Sequence, residues 1–202
     1  MRQVERHIVK QSNPLWKQLD KLCFLSKNLY NYANYLVRQS FIFKGVYLSF
    51  NQVYHLVKDT VDYKALPRKV SQQVLRILAR NWKSFFEAIL RYKENPNLFT
   101  GQPKLPKYKH KTKGRNLLVY NIQAISKTWL EKGMVKLSGT DITIPTKAFN
   151  IVGARIIPQV GQYVMEVVYE KEEHCTVTNP DAVAAIDIGV DNLAALTSNQ
   201  LG

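Results

Sequence analysis

The sequence predicts an α+β protein in which a first strand precedes a block of helices, and a block of short antiparallel strands follows. Two observations support this prediction: apolar residues recur at helical spacing within residues 13–97, and from Leu117 onward they alternate with a period of two. A chain of 202 residues is long enough for one sizeable core or two small ones. Residues 2–11 are predicted to form the first strand.

The first helix is predicted to begin at Asn13 and Pro14, because Asn is a favoured N-cap and Pro suits the first helical turn. Cys23 lies on the apolar stripe of this helix, which predicts a small buried core residue. The stripe comprises Leu15, Leu19, Leu22, Leu29, Ala33 and Leu36.

Two later helices carry their own start signals. Ser49 and Gln52 form a plausible capping box for a short helix that ends near Lys58, and Pro67 opens a longer helix. The longer helix has one apolar face, with cations between the apolar positions. These cations fit either a solvated surface or a helix laid along a phosphate backbone, and the two interpretations are compatible. The predicted nucleic-acid contacts are Arg68, Lys69, Arg76, Arg80 and Lys83, with Arg91 further along the same helix.

Residues 101–115, G-Q-P-K-L-P-K-Y-K-H-K-T-K-G-R, have a different composition. They hold six Lys or Arg residues, two prolines and no acid, so we predict a loop or linker and no core element. The segment offers cations and a stacking ring to a nucleic acid, and the alternative is a flexible solvated linker. The predicted contacts are Lys104, Lys107, Tyr108, Lys109, Lys111, Lys113 and Arg115.

The second half of the chain is predicted to be an antiparallel β unit, barrel-like or sandwich-like. Gly161 and Gln162 are expected to close a hairpin, and a boundary is expected at residues 179–181. The strand candidates are residues 117–125, 135–137, 142–144, 151–157 and 163–169.

The net charge of +14 indicates a polyanionic partner, most commonly nucleic acid. A basic ribosome-like or membrane-surface protein is the alternative, but no basic amphipathic helix stands out, and neither a membrane-spanning apolar run nor a signal peptide is present. Cys23 and Cys175 have no C-x-x-C partner. We therefore predict a cytoplasmic chain with no zinc site and no membrane partner.

Residues 182–198, A-V-A-A-I-D-I-G-V-D-N-L-A-A-L-T-S, place Asp187 inside a strand-like run, directly before Ile188 and Gly189. Burying an unpaired carboxylate costs several kcal/mol, so we expect a metal ion or a hydrogen-bond donor to face it. Such strand pairs occur in RNase H-like nucleases, including RuvC resolvases, and in actin-like and sugar-kinase ATPases. A solvated Asp at a strand edge is the third interpretation. Asp191 is predicted to be a turn residue.

The order of these segments resembles the TnpB (OrfB-type) proteins of bacterial insertion sequences, which are relatives of the type V CRISPR nucleases. Residues 23–36 are similar to that family's R-x-x-Y-N-x-x-L helix, with Lys27 where Arg is commoner. Residues 66–86 are similar to its P-x-x-x-x-Q-x-x-L-R-x-L helix, and residues 101–109 to its G-x-P-x-F-K segment. Residues 185–194, A-I-D-I-G-V-D-N-L-A, are similar to its G-I-D-L-G-x-x-N-L-A motif.

The resemblance implies an antiparallel β-barrel wedge domain split by a helical recognition insert, followed by a RuvC nuclease domain. It also implies RNA-guided DNA cleavage, with guide RNA and target DNA as partners. Asp187 would be the first catalytic acid and would bind Mg²⁺, which activates water. The implied division of the chain is residues 1–12 and 98–180 for the wedge domain with its basic linker, 13–97 for the insert, and 181–202 for the start of the RuvC-like domain.

The family's nuclease also requires a Glu and a second Asp well downstream, with a zinc ribbon between them. The sequence ends at Gly202, so the resemblance covers the N-terminal part only, and we expect the chain to be inactive as a nuclease without a C-terminal nuclease half. A non-enzymatic RNA- or DNA-binding module or regulator derived from the same family is the alternative. An ATPase-like fragment is a third class, but it leaves the charge of +14 unexplained.

Overall fold

A computed structural model describes residues 1–172, 181–189 and 194–199. Contacts divide the chain into a large unit, Arg2–Lys171, and a small unit made of Met1 and Glu172–Gly202. The predicted mixture of helices and antiparallel sheets is confirmed. No helix in the described part of the chain is long and apolar enough to cross a membrane. Cys175, Asp191 and the boundary expected at residues 179–180 lie outside the described residues.

The helices of the large unit come early in the chain and are followed by a long segment without regular structure. A short 3₁₀ turn, Pro96–Leu98, follows the last long helix. The helices are α1 (Trp16–Lys44), α2 (Phe50–Val57), α3 (Val61–Lys64), α4 (Arg68–Glu94) and, within the β region, α5 (Lys127–Leu130).

Local capping chemistry explains where these helices begin. The predicted capping box is confirmed at α2, where the Ser49 side chain and the Gln52 side chain each bond the other residue's backbone N–H. The helix after Pro67 is also confirmed. The first helix begins three residues later than Asn13, because the Asn13 Oδ1 accepts from the Leu15 N–H at 2.9 Å and forms a turn that precedes the helix.

Six strands complete the large unit. Four of them form one antiparallel sheet in the order β1-β6-β5-β2, and β3 pairs with β4 in a separate two-stranded ladder. The predicted hairpin at Gly161 is confirmed, and its positive φ of 73° is a conformation that glycine adopts readily. The strands are β1 (Arg2–Lys10), β2 (Leu118–Asn121), β3 (Met134–Lys136), β4 (Thr143–Pro145), β5 (Ile151–Gln159) and β6 (Gln162–Glu170).

The antiparallel β-barrel that the resemblance implies is not confirmed, because the described strands form open sheets. Strands β3 and β4 have three residues each, which is too short to continue the ladder from β2 round to β1. A single bridge, Ile125 with Leu137, links the β3–β4 ladder to the segment after β2. On the other side, the Thr146 hydroxyl donates to the Glu5 carboxylate at 2.9 Å. An isolated bridge and a side-chain bond therefore stand where a barrel would have continuous backbone pairing.

One hydrophobic core joins the helices to the four-stranded sheet. Trp82 of α4 is fully buried, and its indole N–H donates to Oδ1 of Asn34 on α1 at 3.0 Å. Leu118 and Tyr120 bring β2 into the same cluster, where α4 packs on the sheet. Cys23 is fully buried there, as predicted. This packing fixes α4 with one long face turned away from the core.

The small unit contains one antiparallel hairpin, β7 (Ala184–Asp187) and β8 (Ala195–Ser198). The Asn199 side chain bonds the Val183 N–H at 2.9 Å and the Asp181 carbonyl at 2.6 Å, which ties the two ends of the hairpin together. Every residue of β7, including Asp187, is exposed. Two strands alone have too little surface to bury their own apolar side chains.

Candidate nucleic-acid interface

The exposed face of α4 carries a row of cations, here called the basic ridge. Spacings of three, four, seven or eight residues place side chains on one face of an α-helix, so these cations point the same way. With a rise of about 1.5 Å per residue, the ridge extends over roughly 33 Å. Glu87 shares the face, and its Oε1 lies 3.8 Å from Lys83 Nζ. The ridge comprises Lys69, Arg76, Arg80, Lys83 and Arg91, all exposed.

A cavity of about 580 Å³, here called the sheet groove, lies between the middle of α4 and the four-stranded sheet. Arg76 and Arg80 line it from α4, and Arg2 and Arg155 line it from the sheet. No carboxylate occurs among the described lining residues. The floor includes Gly153, where a Cβ atom would lie 2.6 Å from the Tyr120 carbonyl oxygen, so glycine permits the close approach of β5 and β2.

The four arginines of the sheet groove differ in how they are engaged. Arg155 Nη2 lies 2.7 Å from the buried Glu166 carboxylate, and Arg2 Nε lies 2.9 Å from Glu170. The Arg76 guanidinium stands 4.9 Å from the centroid of the Phe50 ring. Within the described part of the chain, neither Arg76 nor Arg80 forms an ion pair with a carboxylate. These two side chains therefore keep their charge available to an anion.

The basic segment at residues 101–115 is held along α1 by side chains that bond its backbone. Asn31 donates to the Lys109 carbonyl at 2.8 Å and accepts from the Lys109 N–H at 2.8 Å. One turn further along, Asn34 donates to the Pro106 carbonyl at 3.0 Å. Buried backbone groups need such partners. The segment therefore has a defined path on the protein, and the alternative of a flexible solvated linker is not supported.

Lys27 holds the same segment nearer its end. Its Nζ donates to the Lys111 carbonyl at 2.6 Å and lies 3.8 Å from the centroid of the Phe24 ring. Burial, together with the nearby Arg115 charge, lowers the pKa of Lys27. Lys27 belongs to α1, and because it is buried and bonded to a carbonyl it contributes to the fold. The lysines of the basic segment itself are exposed.

Arg115 also belongs to the fold. Its Nε and Nη2 atoms donate to the two oxygens of Asp20 at 2.7 and 2.8 Å, and Nη1 donates to the Thr112 carbonyl at 3.0 Å. The Tyr163 hydroxyl donates to the same carboxylate at 2.6 Å. The Arg115 hydrogen bonds hold the pKa of Asp20 below its usual range. Because this guanidinium is already bonded on three nitrogens, we leave Arg115 out of the proposed contact surface.

A second cavity, of about 490 Å³, lies between α4 and the basic segment and is here called the linker groove. Tyr30 and Phe85 contribute rings to its lining, and Asn81 and Ser84 contribute polar groups. Tyr108 lines it from the segment and is 44% exposed. The lysines that line the same cavity are Lys104, Lys107 and Lys109.

The structure brings most of the predicted contacts into two groups, on the ridge and around the linker groove. Arg68 lies off the ridge and donates to the Tyr54 hydroxyl at 3.0 Å. Lys111 and Lys113 are exposed but are not among the described lining of either groove. The sequence interpretation missed Arg2 and Arg155, and it also missed Arg38 of α1, whose Nη1 donates to the Pro106 carbonyl at 3.0 Å. Only Arg38 had a local signal, since the polar residues of α1 at positions 27, 31, 34 and 38 repeat at helical spacing.

Asp187 lies at the end of β7, opposite Ala195. Within residues 1–172, 181–189 and 194–199, no three His, Cys, Asp or Glu side chains form a metal-binding group. Binding of Mg²⁺ at Asp187 stays a prediction of the resemblance.

Comparison with known proteins identifies no family for this chain. No family model and no curated protein matches the sequence. Among solved structures, the chain is similar to one titled "Cryo-EM structure of the Cas12f1-sgRNA-target DNA complex", with 13% sequence identity and a TM-score of 0.37. The match covers 99% of this chain and 55% of that one, so this chain spans about half the length of that protein. A likeness at this level carries no argument about function. The fold and the site define a mixed α+β protein with a basic surface.

Proposed function

We propose that this chain is a nucleic-acid-binding protein whose interface is the basic ridge with the sheet groove and the linker groove beside it. The observation that carries the proposal is the convergence of exposed cations on one long helix face, flanked by two cavities that further cations line. A row of cations that neutralises phosphates releases counterions, and this release drives binding to a polyanion. The net charge of +14 is consistent with that partner.

The finer proposal is that the chain belongs to the TnpB (OrfB-type) group of transposon-associated RNA-guided nucleases. It rests on the order of the motifs along the sequence. In that case the helices are the recognition insert, the strands of the large unit are the wedge domain, and the partners are guide RNA and target DNA. A surface that contacts backbones along a helix suits this role, because base pairing between guide and target reads the sequence.

Within this proposal, Asp187 is the first acid of the nuclease site. We expect residues 1–202 alone not to cleave DNA, because one carboxylate cannot hold the two metal ions of that chemistry. The check is a nicking assay on supercoiled plasmid with and without a divalent cation, using wild type and Asp187→Ala. Metal-dependent nicking by the wild type that disappears in the variant would overturn the expectation.

Binding itself is tested by fluorescence anisotropy with a labelled RNA and a labelled DNA duplex. The proposal predicts binding at low salt that weakens steeply as salt rises, and weaker binding by Arg76→Gln/Arg80→Gln. The matched control is Lys127→Gln/Lys147→Gln, which also removes two exposed cations but lies away from the ridge and from both grooves. Equal losses in the two variants would show that net charge alone, and not the ridge, determines binding.

A further inference from the structure

We infer that the linker groove holds an unpaired nucleotide of a single-stranded nucleic acid, with its base stacked on Tyr108. This inference rests on the proposed function and assigns one part of the interface to single strands. Base stacking on an exposed aromatic ring is the usual way in which proteins hold unpaired bases without reading their sequence.

Tyr108 is held by contacts that leave part of its ring open. The Arg38 guanidinium, from α1, stands over the ring at 5.1 Å from its centroid. Tyr108 as a whole is 44% exposed and contributes to the lining of the groove. Because the guanidinium and the ring are already in contact, we expect both groups to keep their positions when a base arrives.

The backbone on both sides of Tyr108 is fixed before any ligand binds. Arg38 Nη1 and Asn34 Nδ2 both donate to the Pro106 carbonyl at 3.0 Å, and Asn31 makes two bonds to Lys109. Binding to a platform that is already ordered avoids the entropic cost of ordering a loop. This anchoring distinguishes Tyr108 from an exposed tyrosine on a mobile segment.

The charges around the groove fit the phosphates on either side of a stacked base. Lys104, Lys107 and Lys109 line the cavity, and no carboxylate occurs among its described lining residues. Asn81 and Ser84 supply hydrogen-bonding groups on the α4 side. The groove therefore combines a stacking ring with cations, which are the two components of single-strand sites, and it adds polar groups from α4.

The size of the linker groove suits a single nucleotide and not a duplex. A volume of about 490 Å³ lies within the range of roughly 300 to 1,000 Å³ that suits a small ligand. In the interior of a duplex each base is already stacked on both faces and paired at its edge, so it cannot stack on Tyr108. A duplex can still lie along the basic ridge, and the two kinds of ligand should respond differently to changes at Tyr108.

The experiment compares Tyr108→Ala with wild type by fluorescence anisotropy, using oligouridylate, oligothymidylate and a blunt DNA duplex. We expect the Kd for one or both single strands to rise about tenfold, with the duplex Kd unchanged. Tyr108→Phe should bind like wild type, because it keeps the ring. The matched control is Tyr32→Ala on α1, which removes an exposed tyrosine (37%) outside the described groove lining.

Three outcomes contradict the inference. If wild type binds no nucleic acid at low salt, the proposed function fails and the inference fails with it. If wild type binds but Tyr108→Ala leaves both single-strand Kd values unchanged, only the linker-groove assignment fails. An equal loss of duplex binding would also overturn it. Thermal unfolding of each variant checks that the fold is intact, which is expected for an exposed side chain.

Discussion

Replacing Arg76 and Arg80 by glutamine should change the salt dependence of nucleic-acid binding by a predictable amount. The ridge has five cations, and Glu87 partly neutralises Lys83, so the ridge can neutralise about four phosphates. At about 0.9 counterion per phosphate, the slope of log K against log salt for a duplex is about −3.6. The affinity should then fall roughly 150-fold between about 50 and 200 mM salt.

The double variant keeps about two phosphate contacts, so its slope should be about −1.8 and its affinity should fall only about 12-fold over the same range. The assay is anisotropy of a labelled duplex at several salt concentrations. Both arginines are exposed and Arg76 loses only its contact with Phe50, so the fold should survive at a cost of about 1 kcal/mol or less. A folded variant with the wild-type slope would refute the assignment of the ridge.

Three further predictions concern the fold that supports this surface. Asp20→Asn should be less stable than wild type near neutral pH, and its stability should vary less as the medium is acidified. The reason is that the pKa of Asp20 is lower in the folded protein than the value of about 3.9 in the unfolded chain, which stabilises the fold above that unfolded pKa. This stabilisation is lost as the pH falls through the folded pKa. Urea unfolding over that pH range measures the loss of stability. Burial raises the pKa of Cys23 to about 12. In a Cys175→Ser background, iodoacetamide should therefore fail to modify the native protein and should modify it after denaturation. Rapid labelling of the native protein would contradict the burial of Cys23. Gly153→Ala should destabilise the protein by about 1–3 kcal/mol in chemical denaturation, because the new Cβ would lie 2.6 Å from the Tyr120 carbonyl oxygen. An unchanged denaturation midpoint would contradict the close approach of β5 and β2.

The elements that the sequence predicted well depend on short-range signals. Ser49 and Gln52 are three residues apart and cap α2 without help from distant residues. Pro67 fixes the start of α4, and alternation of apolar residues locates the strands to within a few positions. The burial of Cys23 followed from its place on an apolar helical stripe. In each case the physical cause lies within one helix or strand.

The features that the sequence did not predict depend on contacts between distant segments. Arg2 and Arg155 join Arg76 in the sheet groove through strand pairing and helix packing, and no local pattern marks this convergence. The barrel was implied by the family resemblance, but closure requires long enough strands at both edges. The ordered path of residues 101–115 depends on side chains of α1 that are more than 60 residues away in sequence, such as Arg38 and its partner Pro106.

The candidate site was predicted in its chemistry and only partly in its geometry. Lysines and arginines in two sequence segments indicated a nucleic-acid partner. Their arrangement as a ridge with two grooves comes from the structure, and so does the removal of Arg115 from the contact surface. A bidentate ion pair such as Arg115 with Asp20 joins residues that composition cannot connect.

Ultraviolet cross-linking of the wild-type protein to a labelled RNA, followed by mass spectrometry of the linked peptides, tests the central claim most directly. The account predicts salt-sensitive cross-links concentrated in residues 69–91 and 104–109, with few in residues 127–147 on the β3–β4 side. The account is contradicted if no cross-links form at low salt, or if they concentrate on the β3–β4 side and spare the ridge and the linker groove.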